Sequence, residues 1–160
     1  MLQGKKILLI GGSGVLGSEL MPKLEKGGAT VIAPPSEELS VIFHSDIVQF
    51  LFNDKFDLVI HAAAITDVAY CEEKENHAEA VLVNIMGTRN VCEAGRMTKT
   101  PVIYISSDYV FDGDLGYFST DSPTNPQTFY GYTKLAGEAF VQDTGQIFRT
   151  SFKRRGMWGE

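Results

Sequence analysis

Cysteine and histidine are scarce in this sequence, with two cysteines and three histidines among 160 residues. Cys71 and Cys92 are predicted to lie on one helix, where 21 residues at ~1.5 Å each would separate them by ~30 Å. A disulfide within the chain is therefore excluded, and we expect reduced thiols and a cytoplasmic protein. The histidines are dispersed along the sequence, so we predict no metal site.

The chain also lacks long runs of basic or hydrophobic residues. Its formal net charge is −6 and its longest basic run is Lys153–Arg155, which argues against a nucleic-acid-binding surface. No apolar stretch approaches the length needed to span a membrane, and the short apolar run after Lys5 and Lys6 predicts a strand rather than a signal peptide. We expect neither nucleic acid nor membrane as a partner.

Length and composition predict one globular domain with a hydrophobic core. Hydrophobic residues make up 44% of the chain and charged residues 21%, which is ordinary for a globular protein. We therefore treat residues 1–160 as a single domain.

Apolar runs alternate with helical patterns along the chain, which predicts a parallel sheet covered by helices on both faces. Such a doubly wound α/β fold binds ligands at the carboxyl ends of its strands. The glycine-rich segment at 11–17, the segment at 62–64, the Ser106-Ser107 pair and the Arg149-Thr150 pair all follow predicted strands. The predicted strands are 5–10, 29–33, 39–43, 57–61, 101–106 and 146–149, and the predicted helices are 14–26, 46–52, 71–97 and 126–143.

Glycines at 11, 14 and 17 lie between the first predicted strand and the first predicted helix. The N–H groups of such a turn and the helix dipole favour a pyrophosphate, and glycine allows its close approach. No Gly-Lys-Ser/Thr sequence follows, which disfavours a P-loop. We interpret this segment as a nucleotide-binding turn rather than a purely structural one.

Tyr130 and Lys134 are four residues apart and would share one face of a helix. A tyrosine titrates near ~10, and a neighbouring cation would favour its ionised form. The hydroxyl of Ser107 could complete a site that polarises a carbonyl oxygen. On its own, Tyr130 would be interpreted as a half-buried aromatic residue. Tyr109 and Phe111 could be core residues or could line a substrate cleft.

Five motifs in order along the chain resemble the extended short-chain dehydrogenase/reductase family, and most closely its dTDP-4-dehydrorhamnose reductase branch. The resemblance implies a Rossmann fold with strand order 3-2-1-4-5-6. The motifs are Gly-Gly-Ser-Gly-Val-Leu-Gly (11–17), His-Ala-Ala-Ala-Ile-Thr-Asp-Val (61–68), Val-Asn-Ile-Met-Gly-Thr-Arg-Asn (83–90), Ile-Ser-Ser-Asp-Tyr-Val-Phe-Asp-Gly (105–113) and Tyr-Gly-Tyr-Thr-Lys-Leu-Ala-Gly-Glu (130–138).

The same resemblance implies roles for individual residues. Tyr130 would donate a proton to a keto oxygen, Lys134 would bind the nicotinamide ribose and lower the pKa of Tyr130, and Ser107 would be the catalytic hydroxyl. Asn84 would be the family's supporting asparagine. The residues predicted to bind the cofactor are Gly11, Ser13, Gly14, Val15, Leu16, Gly17, Ala62, Ala63, Ala64, Asn84, Ser106, Tyr130 and Lys134.

Three departures from the family pattern bear on function. The substrate domain, which builds most of the sugar-nucleotide pocket in the family, is largely missing. Phe152 stands where the reductases usually carry a tryptophan. Ala33-Pro34-Pro35 replaces the acid that would hold a ribose 2′-hydroxyl, which favours NADP(H) over NAD(H) without excluding the latter.

The resemblance predicts NAD(P)H-dependent reduction of a 4-keto nucleotide sugar, with a nucleotide-sugar substrate and a homodimeric assembly through the 71–97 and 127–143 helices. Two alternatives stay open. The chain could be a non-catalytic NADP(H)-binding regulatory subunit or a truncated form, or it could be a nucleotide-sugar epimerase or dehydratase.

Overall fold

A computed structural model of the chain describes residues 2–114, 116–141, 143 and 145–151. Phe152 and the basic run at 153–155, both considered above, lie outside the described residues.

The five strands of the described residues form one parallel sheet in the order β2-β1-β3-β4-β5. This is the predicted doubly wound order without its third strand, and it confirms the α/β fold class. The strands are β1 (Lys6–Ile10), β2 (Thr30–Ile32), β3 (Leu58–His61), β4 (Val102–Ser107) and β5 (Gly145–Thr150).

Helices connect these strands and cover the sheet. They are α1 (Val15–Lys26), α2 (His44–Asn53), α3 (Val68–Glu72), α4 (His77–Ala80), α5 (Gly87–Thr98) and α6 (Phe129–Glu138), with a π-helix at Val81–Met86 and 3₁₀ turns at Lys74–Asn76 and Asp108–Val110.

Strand β1 shows why both faces of the sheet are buried. Leu8 and Ile10 pack into one hydrophobic cluster with residues of α2 and α5. Ile7 and Leu9 pack on the opposite face, against apolar residues of α1. Alternate side chains of a strand point to opposite faces, so this uninterrupted apolar run is what a central parallel strand needs.

The predicted strand at 39–43 is wrong, because the segment forms turns instead. Leu39 and Val41 are buried against the core, which explains the apolar pattern. The amide of Asn90 on α5 donates to the backbone carbonyls of Val41 and Ile42, at 2.9 and 3.2 Å. The backbone of this segment is thus satisfied by a side chain rather than by a neighbouring strand.

The predicted continuous helix at 71–97 is also wrong. Glu73 has extended backbone angles that end α3, and the chain then passes through a 3₁₀ turn, α4 and the π-helix before α5 begins. Cys71 and Cys92 therefore lie on separate helices, and each is buried in a different hydrophobic cluster.

Candidate active site

A cleft of about 700 Å³ opens at the carboxyl ends of the strands, where the sequence predicted a ligand site. The glycine turn, the segment after β3, the end of β4 and the first turns of α6 all contribute to its walls. Every predicted catalytic and cofactor-binding residue lines this cleft except Asn84.

The three glycines of the turn serve different purposes. A Cβ atom on Gly17 would lie 2.2 Å from the Gly11 carbonyl oxygen. Gly11 has φ +90° and packs against the Ala63 backbone. The fold therefore requires glycine at both positions. A Cβ atom on Gly14 would meet only the Gly11 oxygen, at 3.4 Å. Gly14 thus keeps open space at the start of α1, where no side chain caps the helix and its first N–H groups can meet an anion.

Tyr130 and Ser107 meet at one side of the cleft. Ser107 ends β4, and Tyr130 lies in the first turn of α6 with 7% of its surface exposed. Burial raises the pKa of Tyr130, whereas a hydrogen bond with Ser107 has the opposite, smaller effect. The phenol is therefore protonated at neutral pH.

Lys134 lies one turn further along α6 and is nearly fully buried, with its ammonium 4.3 Å from the centre of the Tyr104 ring. Burial lowers its pKa to about 7, against the opposing effect of the Glu138 carboxylate. The expected lowering of the Tyr130 pKa by Lys134 is not seen, because desolvation dominates at both residues.

Ser106 lines the cleft, but its hydroxyl donates to a buried carboxylate. The acceptor is Glu138 Oε1, at 2.6 Å. The same carboxylate forms a bidentate ion pair with the Arg149 guanidinium on β5, with N–O distances of 2.9 and 2.7 Å. Sequence reasoning gave Glu138 and Arg149 no role of their own, although the four-residue spacing from Lys134 to Glu138 could have indicated the first.

Asn84 differs from its predicted role as a cofactor contact, because it is fully buried behind the cleft wall. Its side-chain oxygen accepts from the Ile65 N–H at 2.8 Å. Its amide donates to the Ile65 carbonyl and to the Thr133 hydroxyl, both at 3.0 Å. Asn84 thus joins the wall segment after β3 to α6, and Ile65 rather than Asn84 faces the cleft.

The sequence left the roles of two aromatic residues open, and the structure gives them different positions. Tyr109 lines the cleft and makes an edge-on contact with the Tyr130 ring, at 5.6 Å between centroids. Phe111 is buried and stacks on Phe118. Tyr109 is therefore a cleft residue and Phe111 a packing residue.

The rim near the end of β2 bears on the choice of cofactor. Pro34, Ser36 and Ser40 line the cleft there, and no carboxylate among the described lining residues is in this part of the wall. Lys134 is the only cationic side chain among the described residues of the cleft. The rim thus offers hydroxyl groups but neither an acid for a ribose 2′-hydroxyl nor an arginine for a 2′-phosphate.

The described part of the chain has neither a cluster of metal ligands nor a helix suited to a membrane. No group of three or more histidine, cysteine or carboxylate side chains there could hold a metal ion. None of its helices combines the length and the apolar character that crossing a membrane requires.

Comparison with known proteins agrees with the fold and the motifs. A dTDP-4-dehydrorhamnose reductase of Streptomyces griseus is 37% identical over 150 residues, covering 91% of this chain and 49% of that protein. The crystal structure of a dTDP-4-dehydrorhamnose reductase from Clostridium acetobutylicum superposes with a TM-score of 0.85 at 34% identity, covering 91% of this chain and 53% of that one. The crystal structure of the Bacillus anthracis reductase, solved with NADP, superposes with a TM-score of 0.86 at 30% identity. This match covers 92% of this chain and 53% of that one.

The chain spans about half the length of these relatives. Residues 5–153 match the family described as RmlD substrate binding domain. This match includes the glycine turn and the segment bearing Tyr130 and Lys134, and it confirms the resemblance inferred from the five motifs. The chain therefore belongs to the RmlD substrate binding domain family.

Proposed function

We propose that residues 1–160 form the NAD(P)-binding Rossmann domain of a short-chain dehydrogenase/reductase that reduces a 4-keto nucleotide sugar with NAD(P)H. The observation that carries this proposal is the meeting of Ser107, Tyr130 and Lys134 in the same cleft as the open glycine turn. NADP(H) is favoured over NAD(H), because the end of β2 lacks an acid and the Bacillus anthracis relative was solved with NADP.

The residues of the cleft fit a dinucleotide. The open space at Gly14 and the first N–H groups of α1 would receive its pyrophosphate, and Ala62, Ala63 and Ala64 would offer a smooth apolar wall beside it. Lys134 would hold the nicotinamide ribose through its ammonium. The bound cofactor supplies the hydride.

The protein's own contribution to the reaction is a positioned proton. Tyr130 is protonated at neutral pH because burial raises its pKa, so its hydroxyl can give a proton to the oxygen of a reduced carbonyl. Ser107 would hold the same oxygen by a hydrogen bond. Once that oxygen is protonated, the Ser107 hydroxyl can donate to the phenolate left behind.

The test follows deuterium from 4-deuterated NADPH into the sugar of a dTDP-4-keto substrate by mass spectrometry, which detects slow turnover. We expect slow but measurable transfer, because precise orientation is worth ~7–11 kcal/mol and most of the relatives' second half is not in this chain. Tyr130→Phe should reduce transfer by about 10²-fold or more. Tyr117→Phe is the control, since Tyr117 is 96% exposed and does not line the cleft.

Equal transfer by the wild type and by Tyr130→Phe would contradict the proposed role of Tyr130. Tight NADPH binding with no transfer would instead favour the non-catalytic, cofactor-binding alternative. Neither this alternative nor the epimerase or dehydratase alternative is favoured by the relatives described above.

We also propose that the chain forms a homodimer through the helical face that contains α6 and the π-helix. Val91, in the predicted 71–97 helix, is fully buried and cannot contribute to this surface. Leu82 and Tyr132 are exposed by 43% and 57% and offer apolar surface on these elements. Leu82→Glu should weaken the dimer in analytical ultracentrifugation; a wild-type protein that sediments only as a monomer at micromolar concentrations would contradict this proposal.

The cytoplasmic location stays a prediction from the sequence.

A further inference from the structure

The first residue of α6 is held by a carboxylate from a distant part of the chain. Glu72, the last residue of α3, accepts a hydrogen bond from the Phe129 N–H at 2.6 Å, across 57 residues of sequence. Phe129 directly precedes Tyr130. The N–H groups at a helix start have no partner within the helix, and a carboxylate there also meets the positive end of the helix dipole.

Aromatic and apolar contacts reinforce this link. The His77 ring, at the start of α4, stacks on the Phe129 ring with centroids 3.7 Å apart and planes within 6°. Cys71 on α3 is fully buried in one cluster with Tyr130 and Phe129. The segment from α3 to α4 therefore contacts both Phe129 and Tyr130.

The backbone that follows β4 also holds the start of α6. A Cβ atom on Gly131 would lie 2.3 Å from the Tyr109 carbonyl oxygen, so the helix already sits against the backbone that follows β4. Thr128 caps the Gly131 N–H at 3.0 Å. The first turn of α6 is therefore held by the Tyr109 backbone as well as by Glu72.

We propose that Glu72, supported by His77, is a positioning residue for Tyr130. Glu72 does not line the cleft, so it acts through the Phe129 N–H and the orientation of the first turn of α6. Loss of the carboxylate releases this N–H and lets the phenol move relative to Ser107. This inference rests on the proposed function only where turnover is concerned, because the position of the Tyr130 ring can be measured directly.

The experiment compares Glu72→Ala, Glu72→Gln and the neighbouring control Glu73→Ala in protein labelled with 3-fluorotyrosine. The chain has six tyrosines, and the fluorine resonance of Tyr130 is assigned by its disappearance in Tyr130→Phe. Glu72→Ala should shift or broaden this resonance, whereas Glu72→Gln, which keeps an oxygen acceptor, should restore it. Glu73→Ala should leave it unchanged.

Two further measurements complete the test. NADPH affinity should stay within about twofold of wild type in all three variants, because the glycine turn is untouched. Deuterium transfer should fall about tenfold in Glu72→Ala and recover in Glu72→Gln, since small displacements of a reacting group are costly.

An unchanged Tyr130 resonance in Glu72→Ala would overturn the proposal, as would a shift that Glu72→Gln does not restore. Absence of transfer in the wild type would count against the proposed reductase function, while the resonance would still decide whether Glu72 positions Tyr130.

Discussion

Replacing Gly14 with alanine should weaken dinucleotide binding while leaving the protein folded. The backbone at Gly14 has φ −72° and ψ 172°, which alanine adopts without strain, and the added Cβ atom would meet only the Gly11 oxygen at 3.4 Å. The cost to folding should stay below about 1 kcal/mol, the typical difference between residues at a helix N-cap.

The effect on binding should be larger, because the methyl group enters the space that we assign to the pyrophosphate. Loss of one hydrogen bond to a charged group costs about 1.5–3 kcal/mol. At 1.4 kcal/mol per factor of ten, this raises the Kd for NADPH by about 10- to 150-fold.

The assay pairs Gly14→Ala with Gly17→Ala and measures NADPH fluorescence on titration together with thermal unfolding. A Cβ atom on Gly17 would lie 2.2 Å from the Gly11 oxygen and 2.6 Å from the Gly12 Cα atom. Gly17→Ala should therefore lower the melting temperature by several degrees, through strain of about 1–3 kcal/mol. A folded Gly14→Ala protein with wild-type affinity would refute the placement of the pyrophosphate.

Three further predictions concern Lys134, Arg149 and Asn84. Burial lowers the pKa of Lys134 to about 7, below its unfolded value, so the unfolded state binds more protons above pH 7. Denaturant titrations of wild type and Lys134→Met measure the difference between their unfolding free energies. This difference should rise between pH 7 and 9, by at most about 1.4 kcal/mol per pH unit. A difference that does not change with pH would contradict the low pKa of Lys134. In the same titrations, Arg149→Met should destabilise the fold by about 3–5 kcal/mol, because it leaves the buried Glu138 carboxylate without its ion-pair partner. The double variant that also carries Glu138→Leu should recover much of this loss. Asn84→Ala should cost about 1–3 kcal/mol and speed hydrogen exchange at the Ile65 amide, whereas unchanged exchange would show that this amide is held by other contacts.

Those parts of the fold and the site that depend on local pattern could be predicted from the sequence. The apolar run of β1 followed by Gly11, Gly14 and Gly17 indicates a strand, a turn and a helix, and the structure has all three. Tyr130 and Lys134 share a helical face at their four-residue spacing, and both reach the cleft. These features need no knowledge of distant residues.

The parts that sequence reasoning missed depend on distant contacts. The segment at 39–43 has the apolar residues of a strand, yet the Asn90 side chain binds its carbonyls instead. Asn84 looked like a cofactor contact until the structure showed its amide bound to Ile65 and Thr133. The pKa of Tyr130 depends on burial, which a four-residue spacing cannot reveal.

The ion pair between Glu138 and Arg149 has a consequence for the order in which the protein is assembled during synthesis. Glu138 ends α6, and its partner lies on β5, which leaves the ribosome later. Until β5 docks beside β4, the Glu138 carboxylate on the helix bearing Lys134 lacks its arginine partner and is costly to bury. Maturation of the cleft should therefore wait for the edge strand, and nascent chains arrested before Arg149 should show Lys134 still open to amine-reactive labels.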